Sequence, residues 1–249
     1  MTDDTNPEVR VAIDSAAAWQ FTAPSPATTL SQVTAECVRR YEQLFEAFGE
    51  FITPTELQTT VEIHDRDRRL ADVEPDQTAR ERNEVVLADE TITPSAVAEA
   101  TAVDGPGVPY VTQIRINHGR FRLQFDEGEK PVDRDDCILY LEGDPRPDGT
   151  FPGPLTCRIT HYPSREGDPV ETAFKSTIVV ELHSDVWMGG GELPRVNRAR
   201  LGAFLSELDD EVSAAAISRE RYEWDDFWYD LSVTTDEWGR HTFDLNAIY

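Results

Sequence analysis

Tyr110-Val111-Thr112-Gln113-Ile114-Arg115-Ile116-Asn117-His118-Gly119-Arg120-Phe121-Arg122-Leu123-Gln124-Phe125 decides the fold class. Apolar residues alternate with polar ones on both sides of Asn117-His118-Gly119. A period of two places one set of side chains on one face of a strand. An Asn-x-Gly between two such runs is a hairpin signal, because Asn and Gly tolerate positive φ. The stretch therefore predicts two antiparallel strands, 110–116 and 121–125, joined by a turn.

The strand pattern continues to about residue 186. Residues 137–141 form a short apolar run, and a proline-rich loop over 143–154 is expected outside the sheet. Leu155, Cys157, Ile159 and His161 alternate, and 177–183 is apolar on both faces, as a central strand would be. The short loops predict an antiparallel meander. Val9, Val11 and Ile13 predict an early strand, followed by a Pro/Ala loop around Pro24 and Pro26.

Two helices flank these strands. Over 29–50, Leu30, Val33, Cys37, Tyr41, Leu44, Phe45, Phe48 and Phe51 recur at steps of three and four, which gathers them on one face. Thr29 with Gln32 reads as a capping box and Gly49 as a stop. A second helix is expected over 194–216, opened by Pro194 and burying Leu201, Phe204, Leu205, Leu208 and Val212. A closing hairpin pairs Phe227, Tyr229, Leu231 and Val233 with Phe243, Leu245 and Ala247 around a turn at 236–239. The expectation is one α+β domain over 1–249: an antiparallel β-sheet with two main α-helices packed on one face. A polar, loop-rich connecting region at about 65–107 reads as an excursion, with a short strand at 85–88 and a short helix opened by Thr93-Pro94.

The formal charge is −25, from 23 Lys plus Arg against 48 Asp plus Glu. Lys130 and Lys175 are the only lysines, and the acids are dispersed along the chain. Five Trp, seven Tyr and eleven Phe separate it from disordered acidic tails. Carboxylates hold water and cations in concentrated salt, and at about 1 M salt the Debye length falls to about 3 Å, so self-repulsion is screened. This composition resembles that of cytoplasmic proteins of extremely halophilic archaea. An acidic protein that mimics nucleic acid or captures a basic partner is the rival reading. Cys37, Cys137 and Cys157 form no disulfide framework, and Cys37 falls on the buried helix face. The acidic Met1-Thr2-Asp3-Asp4 lacks an apolar export segment, and no run is long enough to span a membrane. A soluble, cytoplasmic protein without nucleic-acid or membrane partners is expected.

No complete catalytic motif is present. A strand, then Trp187-Met188-Gly189-Gly190-Gly191, then Pro194-Arg195-Val196-Asn197-Arg198-Ala199-Arg200, joins a glycine turn to a helix start. Gly189, Gly190, Gly191, Arg195 and Arg198 are the candidate anion site, since free backbone N–H groups and guanidinium groups both attract anions. The bland alternative is a plain turn with arginines paired to surface acids. His183 and Asp185 form a candidate polar pair. Cys137, Cys157 and His161 do not make a zinc site, because residues four apart on a strand stand about 13 Å apart. Trp224, Trp228 and Trp238, interleaved with acids, are a candidate surface for a protein partner. No metal or cofactor is expected.

Residues 178–205 resemble stretches of actinobacterial proteins of no assigned function, through the apolar strand, Ser184-Asp185-Val186-Trp187, the glycine turn, the Arg-x-Asn and Leu201-Gly202-Ala203-Phe204-Leu205. The resemblance implies a shared fold and an unassigned cytosolic role. Taken together, the sequence points to a non-enzymatic protein-interaction or neutralising, immunity-like module. The alternative is a small-molecule enzyme or anion-binding domain using 187–200. Salt adaptation is tested by circular dichroism in dilute buffer and then in about 2 M KCl. The fold should form only at high salt, and a spectrum indifferent to salt would refute it.

Overall fold

The computed structural model describes residues 10–11, 17–48, 51–72, 79–88, 92–125, 128–133, 138–139, 153–163, 174–184, 187, 192–212, 216–221, 223–224, 227–235 and 241–248. In chain order the elements are β1 (Arg10–Val11), β2 (Ala17–Pro24), α1 (Leu30–Phe48), β3 (Ile52–His64), β4 (Glu81–Ala88), α2 (Pro94–Ala100), β5 (Val108–Tyr110), β6 (Gln113–Phe125), β7 (Gly128–Asp133), β8 (Ile138–Leu139), β9 (Leu155–Pro163) and β10 (Phe174–Leu182). They continue with α3 (Glu192–Val212), β11 (Ala216–Arg221), β12 (Glu223–Trp224), β13 (Phe227–Thr235) and β14 (His241–Ile248). The fold is α+β, built on an antiparallel sheet ordered β11-β2-β10-β9-β6-β3-β4, with β5 pairing β3 and β7 pairing β6. β12, β13 and β14 form a separate three-stranded antiparallel sheet whose last strand lies beside α3. β1 and β8 form a two-residue parallel pair.

Asn117-His118-Gly119 is not a turn. β6 runs straight through it as one 13-residue strand. Its first half pairs β9, from Gln113↔Thr160 to His118↔Leu155, and its second half pairs β7. The local signal has another cause. Where β6 crosses β3 the register slips, with Thr53 opposite Arg120, Pro54 opposite His118 and Glu56 opposite Asn117. This is a bulge, which tolerates the residues a turn prefers. It switches the parity of burial on both strands. Ile114, Ile116 and His118 point inward before it on β6, and Phe121, Leu123 and Phe125 after it. On β3 the inward set changes from Ile52 and Pro54 to Leu57, Thr59, Val61 and Ile63. The true reversal after β6 is at Gly128, whose φ of 119° suits glycine.

The expected Pro/Ala loop is confined to residues 25–28, and β2, a strand not expected from the sequence, precedes it. Trp19, Phe21 and Ala23 alternate inward, and Trp19 and Phe21 are fully excluded from solvent. β2 inserts between β10 and β11, so the sheet is a meander only in part. The connecting region holds the expected short strand, as part of β4, and the expected short helix, α2. β4 extends the sheet at its edge, Leu70, Ile92 and Val97 join the core, and Thr93 caps α2 by accepting a hydrogen bond from the Ala96 amide at 3.2 Å.

α1 begins where the spacing places it, but its cap is supplied from elsewhere. Gln32 accepts hydrogen bonds from the Thr28 amide and hydroxyl, both at 2.8 Å, rather than from Thr29. Asp67 of the connecting region caps the helix from outside. Its carboxylate accepts from the Ser31 amide at 3.1 Å, the Ser31 hydroxyl at 2.6 Å and the Thr29 hydroxyl at 3.0 Å. Leu30 N donates to Arg68 O and Leu70 N to Thr28 O, which ties the two segments together. Partial burial raises the Asp67 pKa, but the hydrogen bonds from Ser31, Thr29 and Leu30 outweigh it, and the net shift is downward. The cap is therefore intact above the ordinary carboxylate range and lost as pH falls through the lowered value. Asp67→Ala should cost about 1–2 kcal/mol, the range for a lost N-cap, in chemical denaturation at high salt and neutral pH. Asp67→Ala and the wild type should converge in stability as pH falls through the lowered Asp67 value.

Candidate functional site

α1 and α3 meet where Phe48 stacks on Phe204, ring centroids 3.6 Å apart. Phe48 also lies 4.5 Å from the His118 ring at the bulge. Around this contact α1, α3 and the second half of β6 line a cleft of about 360 Å³. The end of α1 and the start of β3 give it Ala47, Phe48, Phe51 and Ile52. β6 gives Phe121, Arg122 and Leu123, and α3 gives Asn197, Arg200, Leu201, Ala203, Phe204 and Glu207. Trp187 closes one side and meets Phe121 edge-on at 5.6 Å. The parity switch in β6 makes this possible, because without it Phe121 and Leu123 would face away from the helices.

Polar groups sit at the rim. Arg200 Nη2 donates to Glu129 Oε2 at 3.0 Å, and Arg122 Nη1 lies 3.6 Å from Glu129 Oε1. The Arg200 guanidinium lies over the Phe51 ring, 4.6 Å from its centroid. Among the described residues, Arg200 Nη1 is buried without a hydrogen-bond partner. Asn197 is a clamp rather than a ligand group. Its Oδ1 accepts from the Gln124 amide at 2.9 Å and its Nδ2 donates to Gln124 O at 3.4 Å, fixing α3 to β6.

The structure brings together part of what the sequence singles out. Trp187, Asn197 and Arg200, all from the 187–200 segment, line one cleft. α3 starts at Glu192, so Pro194 and Arg195 fall within its first turn. The side chains of Arg195 and Arg198 lie outside the described residues, as do Gly189, Gly190, Gly191 and Asp185. His183 is buried, with its amide donating to Pro154 O at 2.8 Å and Nε2 3.0 Å from the Thr156 hydroxyl. Trp224 stands on β12 and Trp228 on β13, with side chains outside the described residues, and Trp238 is outside them altogether. The cleft's other wall, Phe48, Phe51, Phe121 and Leu123, carries no motif. Its signal is only the excess of Phe at the end of α1.

A second polar cluster is buried between α1 and β10. Glu36 accepts from Arg39 Nη2 at 2.7 Å and Arg40 Nε at 3.0 Å, and Arg40 Nε also reaches the Ser176 hydroxyl at 3.0 Å. Burial raises the Glu36 pKa, but Arg39, Arg40 and Ser176 outweigh it and hold the carboxyl below its usual range. Nearby, His161 Nε2 lies 2.8 Å from the Ser25 hydroxyl. The distance suits a nucleophile–base pair, but the electrostatics do not. Burial pulls the His161 pKa down to about 4, only partly opposed by Glu36, whereas an efficient general base titrates near the working pH. Glu36 is also fully occupied by its arginines. Cys37 is buried with its thiol donating to Val111 O at 3.3 Å, and burial lifts its pKa to about 12. Cys157 is raised by burial as well. Neither is a ready thiolate nucleophile. Among the described residues no group of His, Cys, Asp and Glu could hold a metal ion.

Burial also lowers the His118 pKa to about 3. Both histidines are therefore neutral in the fold while the unfolded chain titrates near 6.5. As pH falls from about 6.5 the unfolded state takes up protons that the fold does not, so stability is lost down to about pH 4 for His161 and about pH 3 for His118. Each contributes a slope of up to about 1.4 kcal/mol per pH unit. Denaturation curves between pH 7 and 4 should show this loss, and His161→Gln should make the dependence shallower.

No protein-family model, curated protein or solved structure matches the chain.

Proposed function

We propose that this chain is a non-catalytic binding module that holds an apolar ligand of small-molecule size in the cleft between α1, α3 and β6. The observation that carries this reading is the cleft itself. Ten of its fourteen lining residues are apolar or aromatic, and its walls come from α1, the start of β3, β6 and α3, with Trp187 beside them. Preformed, mostly apolar concavities with few polar groups are what ligand sites have in common. The 187–200 segment contributes Trp187, Asn197 and Arg200, in keeping with the alternative function expected for it. The neutralising, protein-partner function depends on Trp224, Trp228 and Trp238, and the cleft carries more than they do. The arginine-dominated, acid-rich surface supports work in a salt-rich cytoplasm, where hydrophobic contacts strengthen and surface charge pairs weaken.

A neutral fluorescent probe such as N-phenyl-1-naphthylamine, titrated at about 2 M KCl, should bind at one site with enhanced emission. Ala47→Phe, which fills the cleft from α1, should weaken that binding about tenfold or more while leaving the circular dichroism spectrum unchanged. Equal binding by the wild type and Ala47→Phe would refute the assignment.

A further inference from the structure

We propose that the ligand of this cleft is a flat apolar carboxylate, its ring system held among Phe48, Phe121, Trp187 and Phe204 and its carboxylate bound by Arg200. This rests on the cleft being the binding site.

Three observations converge on that chemistry. The first is size. A dry apolar cavity of about 150 Å³ takes one benzene ring, so a cleft of about 360 Å³ takes a body roughly twice that large. The second is the nature of the walls. Five of the lining residues are aromatic, and aromatic faces and edges pack best against another planar ring. The third is the polar imbalance at the rim. Among the described residues, Arg200 commits Nη2 to Glu129 but leaves Nη1 buried and unpartnered. A guanidinium N–H denied both water and an acceptor is costly, and such a group in a native fold calls for an explanation. The part of the guanidinium that stays accessible can donate charge-assisted hydrogen bonds to a ligand carboxylate.

The other charged groups facing the cleft set its polarity. Among the described residues, Arg122 and Arg200 share the carboxylate of Glu129, which sets two cations against one anion at the β6 end of the rim. Glu207 stands on the same side of α3 two turns further on, about 10 Å along the axis. An anion is thus favoured at the Arg200 end and disfavoured at the Glu207 end, which gives the ligand one orientation. Phe51 beneath the guanidinium fixes the plane of the fork by stacking.

The test uses isosteres in place of an unknown natural ligand. 2-Naphthoate, 2-naphthamide and 2-naphthylmethylammonium are titrated into the full chain at about 2 M KCl by calorimetry. Naphthoate should bind about tenfold or more tightly than naphthamide, the scale of one charge-assisted hydrogen bond. Arg200→Gln should bring the two within about twofold, by weakening naphthoate far more than naphthamide. Glu129→Gln, which frees the Arg200 fork, should tighten naphthoate alone and serves as the deciding variant if Arg200→Gln fails to fold. Equal binding of naphthoate and naphthamide to the wild type overturns the carboxylate assignment while leaving the cleft as a ligand site. Preference for the ammonium overturns it too. If none of the three binds, and N-phenyl-1-naphthylamine does not bind either, both the carboxylate assignment and the cleft reading fall.

Discussion

The paired bulge where β6 crosses β3 governs the rest of the structure. A strand with unbroken alternation would bury every second residue along its whole length. Here the inward set changes between His118 and Phe121, and β3 changes in step between Pro54 and Leu57. One half of β6 therefore serves the core between β3 and β9. The other half, paired with β7, turns Phe121 and Leu123 toward α3. The stack of Phe48 on Phe204, the clamp of Asn197 on the Gln124 backbone and the cleft between the helices all follow from that change.

How much of this is legible in the sequence depends on whether the cause is local. α1 and the buried stripe of α3 show plainly, because a 3.6-residue period is written into consecutive turns. The C-terminal hairpin shows for the same reason with a period of two. β2 is hidden because Ala17, Ala18, Ala23 and Pro24 carry little strand preference, and its partners are Lys175 to Leu182, far along the chain. The bulge is hidden because Asn117-His118-Gly119 has the chemistry of a turn, and only the slip in β3 opposite it separates the two. The cap on α1 is hidden because Asp67 lies 36 residues from Ser31. Of the candidate site, the 187–200 segment is legible as a strand-to-helix junction of unusual composition. The wall it faces is not, since Phe48, Phe51 and Phe121 look like any other core residues until the topology places them.

Charge plays a different part inside the fold from the one it plays on the surface. The acids are numerous, and those at the surface, such as Asp67 and Glu129, act through local hydrogen bonds and ion pairs. At the buried Glu36, Arg39, Arg40 and Ser176 are all committed to one carboxylate. Removing one member of such a cluster strands the others in a low-dielectric interior. Histidine follows the same logic with the opposite outcome. Burial leaves His118 and His161 neutral, with Glu36 opposing the shift only in part at His161.

The placement of β2 has a consequence for synthesis. Thr22 and Thr177, 155 residues apart, meet hydroxyl to hydroxyl across neighbouring strands. Translation at about 5–20 residues per second separates their emergence by on the order of ten to thirty seconds. For that interval Trp19 and Phe21, two of the most deeply buried side chains in the finished protein, have no sheet to enter. The nascent chain must carry an apolar segment unprotected until its C-terminal half arrives, which makes β2 the natural point of contact for a holding chaperone and the natural seed of aggregation when none is at hand.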